Sequence, residues 1–204
     1  MKSLVFFNNK GGVGKTTLLC NVAAYLALEK GLKICVVDAD PQCNSTQYFF
    51  NEDIIEEIYS DKSSFTIQSI VDPLVEGIGY QKNISTRRAH SFGVDVIPGD
   101  PRLAITEDLL AKDWGDAKAG EIRGIRTSLV FSQLLHLLSD YDLVLFDVGP
   151  SLGAINRAIL LSADFFVSPM SVYIFSLRAF ENIAEWIENW RTEWARGIEN
   201  SRDP

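Results

Sequence analysis

At 204 residues, 47% hydrophobic and 23% charged, the chain is long enough for one substantial domain with a well-covered core. Its net charge of −8 argues against a surface that acts as a whole as a nucleic-acid clamp, although a local basic patch remains open. No apolar stretch reaches membrane-spanning length, and Cys20, Cys35 and Cys43 form no Cys-x-x-Cys pair; with the glycine-rich loop so early in the chain, no cleaved leader is expected. A cytoplasmic location, without a disulfide framework or a cysteine zinc site, is expected.

The first expected element is a strand over residues 4–8, an apolar run that leads into Lys10-Gly11-Gly12-Val13-Gly14-Lys15-Thr16-Thr17. A helix is expected over 16–29, where Leu19, Val22, Ala23 and Leu26 recur at helical spacing and Gly31 follows as a stop. Strand, glycine-rich turn and helix together form the frame in which backbone N–H groups wrap a nucleotide's phosphates. The glycines let the main chain approach without Cβ clashes. Lys15 would reach the β- and γ-phosphates, and the Thr16 hydroxyl would ligate Mg²⁺. The common form of this loop carries a glycine where this chain has Asn9, and this chain instead places a lysine, Lys10, at the mouth.

Further strands are expected over 34–38, 94–98, 143–147 and 165–169, most of them near-continuous apolar runs suited to burial on both sides. Helices are expected over 102–111, 123–138 and 155–162, with the stretch 112–122 as a connection. Between residues 49 and 91 the pattern is less regular. Residues 52–59 read as a short acidic helix, 65–71 as another, and 80–91 as a loop with edge-strand character. Lys82, Arg87 and Arg88 make a small basic segment within it, read as a solvated loop. The alternation of strand and helix predicts an α/β fold, a mostly parallel twisted sheet with helices on both faces.

Two strands end in carboxylates. The strand over 34–38 runs into Asp38-Ala39-Asp40-Pro41-Gln42, and in a doubly wound sheet ligands collect at the carboxyl ends of strands. Asp38 and Asp40 would face the phosphate loop, suited to the water shell of Mg²⁺ and to orienting an attacking water. Leu143-Val144-Leu145-Phe146 ends in Asp147, the pattern of a Walker-B strand whose carboxylate helps hold Mg²⁺. The following Val148-Gly149-Pro150-Ser151 suggests a mobile turn near the γ-phosphate.

KGGVGKTT, then DADPQ with Thr46, then FDVGPSLG resemble the ParA/Soj/MinD family of deviant Walker-A P-loop ATPases, and the DADPQ run resembles the ParA-like branch. Val96-Ile97-Pro98 and Phe175-Ser176-Leu177 extend the resemblance over nearly the whole chain, read as a single P-loop ATPase domain over 1–204. The resemblance implies slow, partner-stimulated ATP hydrolysis in a dimer formed around two ATP molecules, in partition or positioning of plasmid or chromosomal DNA or other cargo. Lys10 would cross to the nucleotide of the facing subunit. Gly11, Gly12, Val13 and Gly14 would line the phosphates, with Lys15 on the β- and γ-phosphates and Thr17 on the α-phosphate. Thr16, Asp38 and Asp147 would serve Mg²⁺, and Asp40 would position or activate the water.

Three departures temper the resemblance. Val148-Gly149-Pro150 stands where two consecutive prolines are usual, the stretch 49–91 matches poorly, and only one helix follows Pro169 where relatives continue. A shortened or truncated member is therefore expected, and nonspecific DNA binding is doubtful for so acidic a chain. That last helix, over 177–196, carries Trp186, Trp190 and Trp194 at four-residue spacing. With five acids and three arginines from Asn182 onward, it reads as a packed or partner-binding helix, not a membrane-surface one. Two alternatives to the partition switch stand beside it: an ATP-gated interaction module and a MinD-like membrane-cycling ATPase. Nothing in the sequence marks the acceptor pocket of a small-molecule kinase or ligase.

Overall fold

The computed structural model describes every residue except Lys62, 171–173 and 202–204, and describes no side chains within 171–179. In chain order the first half comprises β1 (Lys2–Phe6), α1 (Lys15–Lys30), β2 (Ile34–Ala39), α2 (Asn44–Phe49), α3 (Glu52–Ser60), α4 (Gln68–Val75), β3 (Arg87–Ala89) and β4 (Val94–Ile97). The second half comprises α5 (Leu103–Lys118), α6 (Ile122–Ser128), α7 (Val130–Leu137), β5 (Leu143–Val148), α8 (Ala154–Ser162), β6 (Phe165–Val167) and α9 (Ile174–Asn200).

The strands form one sheet in the order β3-β4-β2-β5-β1-β6, parallel except for β3, which runs antiparallel to β4 at one edge. Alternating side chains feed two cores. Val5, Cys35, Val37, Val144 and Phe146 point to one face, where α4, α5, α7, α8 and α9 supply residues such as Val71, Leu110, Phe131, Ile159 and Ile183. Phe6, Val36, Val96 and Leu145 point to the other, covered by Leu19, Cys20 and Ala23 of α1 with Phe49 and Ile58. Burial on both faces is why β2 and β5 read as unbroken apolar runs and not as alternating ones.

Two helical expectations fail for definite reasons. The stretch 112–122 is not a connection: α5 continues through Gly115 to Lys118 and buries Trp114 and Ala117. A glycine inside a helix costs about 1 kcal/mol, and burying an indole outweighs it. The single helix expected over 123–138 is two, α6 and α7, which meet at Leu129. Thr127 in α6 donates its hydroxyl to the buried Asp113 carboxylate of α5 at 2.7 Å. The basic segment is also less free than its sequence suggests, because Arg87 pairs with Glu57 at 3.0 Å and Arg88 with Asp95 at 3.2 Å.

α9 packs on the body. Ile183 and Ile187 are buried, Trp186 and Trp190 lie against the same core, and Trp194 stacks on Trp114 with ring centres 6.1 Å apart and planes 8° from parallel. The Arg157 guanidinium lies 4.4 Å from the centre of the Trp114 ring and 5.9 Å from that of Trp190. The tryptophan stripe is thus spent on α5 and α8. The Phe175-Ser176-Leu177 match lies outside the residues whose side chains are described. Among the described residues, no helix is long and apolar enough to cross a membrane.

Glycines make the seam between α5, α6 and α9 close enough for this packing. A Cβ on Gly124 would come within 2.3 Å of the Ala117 nitrogen and the Asp113 carbonyl oxygen, both backbone atoms of α5. Gly115, on the outer side of α5, faces open space. Gly124→Ala is expected to destabilise the fold by roughly 1–3 kcal/mol through overpacking. Gly115→Ala is expected to stabilise it by about 0.5–1 kcal/mol. Urea unfolding of the two variants checks both signs.

Candidate nucleotide site

The site lies at the carboxyl end of the parallel strands, where β1 gives way to the glycine-rich loop and α1 begins. Gly12 and Gly14 take φ of 73° and 77°, a left-handed conformation that L side chains rarely adopt. A Cβ on Gly11, Gly12 or Gly14 would meet no atom within 4 Å, so the loop presents bare main chain to open space. Beside it is a cleft of about 460 Å³ lined by the run from Lys10 to Thr17 together with Asp40, Gln42, Asn44, Tyr48 and Pro150. Among the described residues no cluster of three or more His, Cys, Asp or Glu side chains is arranged to hold a metal unaided. A cation that keeps waters and shares substrate phosphates, as Mg²⁺ does, needs no such cage.

Asp147 organises the floor. Its position in β5 is in register with Phe6 at the end of β1 and with Asp38 in β2. One carboxylate oxygen takes the Lys15 ammonium at 2.5 Å, and the other accepts the Thr16 hydroxyl at 2.8 Å. Lys15 is 8% exposed and Asp147 fully buried, so the pair is dry. Removing one partner of such a pair typically costs about 3–5 kcal/mol. Lys10, one turn of chain earlier, is exposed and lines the mouth of the cleft.

The other two carboxylates separate. Asp40 lines the cleft, accepts the Gln42 N–H at 3.0 Å and faces Gly149, where a Cβ would lie 3.4 Å from an Asp40 carboxylate oxygen. It therefore stands between the phosphate loop and the turn that follows β5. Asp38 does not line the cleft. It is fully buried, and its Oδ2 accepts the Thr46 N–H at 2.8 Å and the Thr46 hydroxyl at 2.6 Å. Thr46 Oγ1 in turn accepts the Gly99 N–H at 2.8 Å, tying β2 to the end of β4. Asp38 thus fastens the loop that carries Asp40, a role that the spacing of the two aspartates did not announce.

Two cleft residues carry no motif signal. Asn44 and Tyr48, with Gln42 of the DADPQ run, reach the cleft because the chain turns back after Pro41, with Cys43 in the left-handed region at φ 54° as the cap of α2. Tyr48 accepts a hydrogen bond from Asn21 of α1 at 3.2 Å. Asn156 of α8 donates to the carbonyls of Gly149 and Ser151 at 2.7 and 2.6 Å and so shapes the turn after β5.

Burial pushes the Asp38 carboxyl up to about 7 from its ordinary value near 3.8; the nearby Asp147 charge adds to the rise and the Thr46 hydrogen bonds oppose it. The folded state therefore holds this proton at pH values where the unfolded chain has released it. Stability contributed by the group is complete below pH 3.8 and falls as pH rises to about 7, above which the loss is constant. Asp38→Asn is expected to flatten this dependence: relative to the parent, the variant gains stability between pH 4 and pH 7. Denaturant unfolding at closely spaced pH values checks it.

A model of the AAA domain family matches residues 1–199. The virulence plasmid ParA family protein of Chlamydia psittaci is 26% identical over 186 residues, covering 91% of this chain and 63% of that protein. A protein of Corynebacterium diphtheriae with a known crystal structure is 43% identical and superposes with a TM-score of 0.89, covering 98% of this chain and 70% of that one. Cobyrinic acid a,c-diamide synthase of Mycobacterium smegmatis, solved with an ATP analogue and magnesium, is 24% identical with a TM-score of 0.71, over 94% of this chain and 69% of its own. At that identity the likeness concerns the fold. The chain spans between 48% and 63% of the length of the first sequence relatives it matches. With the loop, the Asp147 floor and the sheet order already in place, these matches establish that the chain belongs to the AAA domain family, with the fold of a ParA-like P-loop protein.

Proposed function

We propose that residues 1–204 act as one ATPase domain that binds ATP with Mg²⁺, dimerises around it and hydrolyses it slowly. Its service is that of a ParA-type switch in the partition or positioning of DNA or other cargo, with a partner protein stimulating turnover. The observation that carries this reading is the contrast between two lysines: Lys15 sunk on Asp147, and Lys10 exposed at the mouth of the same cleft. One lysine serves its own site. The other is free to serve a facing one.

The residues fit the nucleotide and the metal. Bare main chain at Gly11, Gly12, Val13 and Gly14 suits phosphate oxygens, and Thr17 at the start of α1 suits the α-phosphate. Lys15 would exchange Asp147 for the β- and γ-phosphates. Thr16 and Asp147 would hold Mg²⁺, the carboxylate through water, and the ion would neutralise charge on the β- and γ-oxygens. Asp38, whose Oδ2 is engaged by Thr46 and whose Oδ1 accepts the Asp40 N–H, would act on the metal from further out, through its water shell and through the loop it fastens. Asp40 would orient and deprotonate the attacking water. Lys10 from the facing subunit would add positive charge where the transferring phosphoryl needs it, which makes turnover conditional on dimerisation.

The ATP analogue and magnesium of the Mycobacterium synthase support the choice of ligand, and the plasmid ParA relative supports the choice of process. DNA contact is no part of the proposal, since Arg87 and Arg88 already have carboxylate partners. A membrane-cycling variant gains nothing from α9, where Trp194 packs on α5, Trp190 on α8 and Trp186 against the core.

Asp40→Ala is expected to slow hydrolysis by on the order of 100-fold or more, leaving ATP binding in place. Light scattering of that variant should give a dimer with ATP–Mg²⁺ and a monomer with ADP. Adding Lys10→Ala should return it to a monomer in ATP–Mg²⁺. A monomer with either nucleotide, with ATP binding verified by titration, would overturn the dimerisation switch.

A further inference from the structure

Asn8 lies between the end of β1 and the root of Lys10, 6% exposed. Its carboxamide works in two directions. Oδ1 accepts the backbone N–H of Lys10 at 2.9 Å, and Nδ2 donates to the carbonyl of Pro169, just beyond β6, at 2.6 Å. Alongside, the Phe7 N–H donates to the Val167 carbonyl at 3.0 Å. The ends of β1 and β6 are thus cross-tied twice within two residues, and the backbone of Lys10 hangs from the second tie.

That backbone needs such an anchor. Gly11 and Gly12 follow it, with Gly12 left-handed and open space around both, so nothing on their side restrains the direction in which Lys10 leaves the loop. The lysine stem is itself flexible, with four carbons between Cα and the charge. A lysine that must reach a separate molecule loses affinity for every conformation it samples elsewhere, so its root has to be fixed beforehand. Only a carboxamide of this length supplies the acceptor and the donor together. Aspartate keeps the acceptor alone, and alanine keeps neither.

We propose that Asn8 is the positioning residue for Lys10. Its carboxamide, held by the Pro169 carbonyl, sets the Lys10 peptide so that the side chain projects from the mouth of the cleft toward a facing copy of the chain. Asn8 touches no phosphate and acts only through Lys10. The inference rests on the trans role given to Lys10 above.

The test uses the Asp40→Ala protein as parent and adds Asn8→Ala, Asn8→Asp, Lys10→Ala, and Asn8→Ala with Lys10→Ala. Three quantities are measured: the dimer dissociation constant in ATP–Mg²⁺ by light scattering, ATP affinity by titration, and thermal unfolding. Asn8→Ala is expected to weaken the dimer about five- to tenfold, the scale of one anchoring hydrogen bond, and to change ATP affinity less than about threefold. With Lys10 already alanine, Asn8→Ala is expected to add no further loss. Asn8→Asp buries a carboxylate against the Pro169 carbonyl and should unfold at the lowest temperature, yet its retained acceptor should keep the dimer within about threefold of the parent. A merely structural Asn8 would rank dimerisation by thermal stability, with aspartate worst, and that ranking overturns the proposal. Additive losses in the double variant overturn it too. If Lys10→Ala loses the dimer and Asn8→Ala does not, the positioning role alone falls. If Lys10→Ala dimerises like the parent, the trans role falls and takes the positioning role with it.

Discussion

A single carboxylate at the end of β5 holds the nucleotide site together. Asp147 takes the ammonium of Lys15 on one oxygen and the hydroxyl of Thr16 on the other, so the first turn of α1 is fastened to the centre of the sheet by two bonds in a dry place. Low local dielectric makes both bonds strong, and it makes either partner costly to leave alone. The loop between Phe6 and Lys15 is consequently suspended between two fixed points, the β1–β6 tie at one end and Asp147 at the other. Its glycines can remain bare because neither end depends on them for rigidity.

The same geometry explains why three aspartates of similar sequence context do different things. Strand register puts Asp38 and Asp147 side by side, and two adjacent buried carboxylates repel each other. The fold separates their partners. Asp147 receives a cation and a hydroxyl, while Asp38 receives an N–H and a hydroxyl from Thr46. Asp40, one residue past the end of β2, escapes the sheet and reaches the cleft wall. Division of labour here follows from position along the strand end and not from residue type.

Much of this was legible in the chain. The glycine-rich run, the apolar strands and Asp147 at a strand end are local patterns, and each has one stable way of being buried. The edge-strand character within 80–91 appears as β3, and the acidic run 52–59 lies within α3. What escaped depends on partners far apart in sequence. The stretch 112–122 reads as a connection until Trp114 finds Trp194 eighty residues away, and Asp38 reads as facing the cleft until Thr46 and Gly99 close around it. Tyr48 reaches the cleft, and Asn156 the turn after β5, only through the turns that fold α2 and α8 back on the strand ends.

The seam between α5 and α9 has an optical consequence. The chain contains four tryptophans, and they are Trp114 on α5 and Trp186, Trp190 and Trp194 on α9. None lines the cleft. The intrinsic indole emission of the protein therefore originates entirely from α5 and α9, with one pair of rings stacked and a guanidinium lying against two of the indoles. A change in emission on adding nucleotide would report how far a disturbance at the strand ends travels through α5 and α8, and not direct quenching at the site.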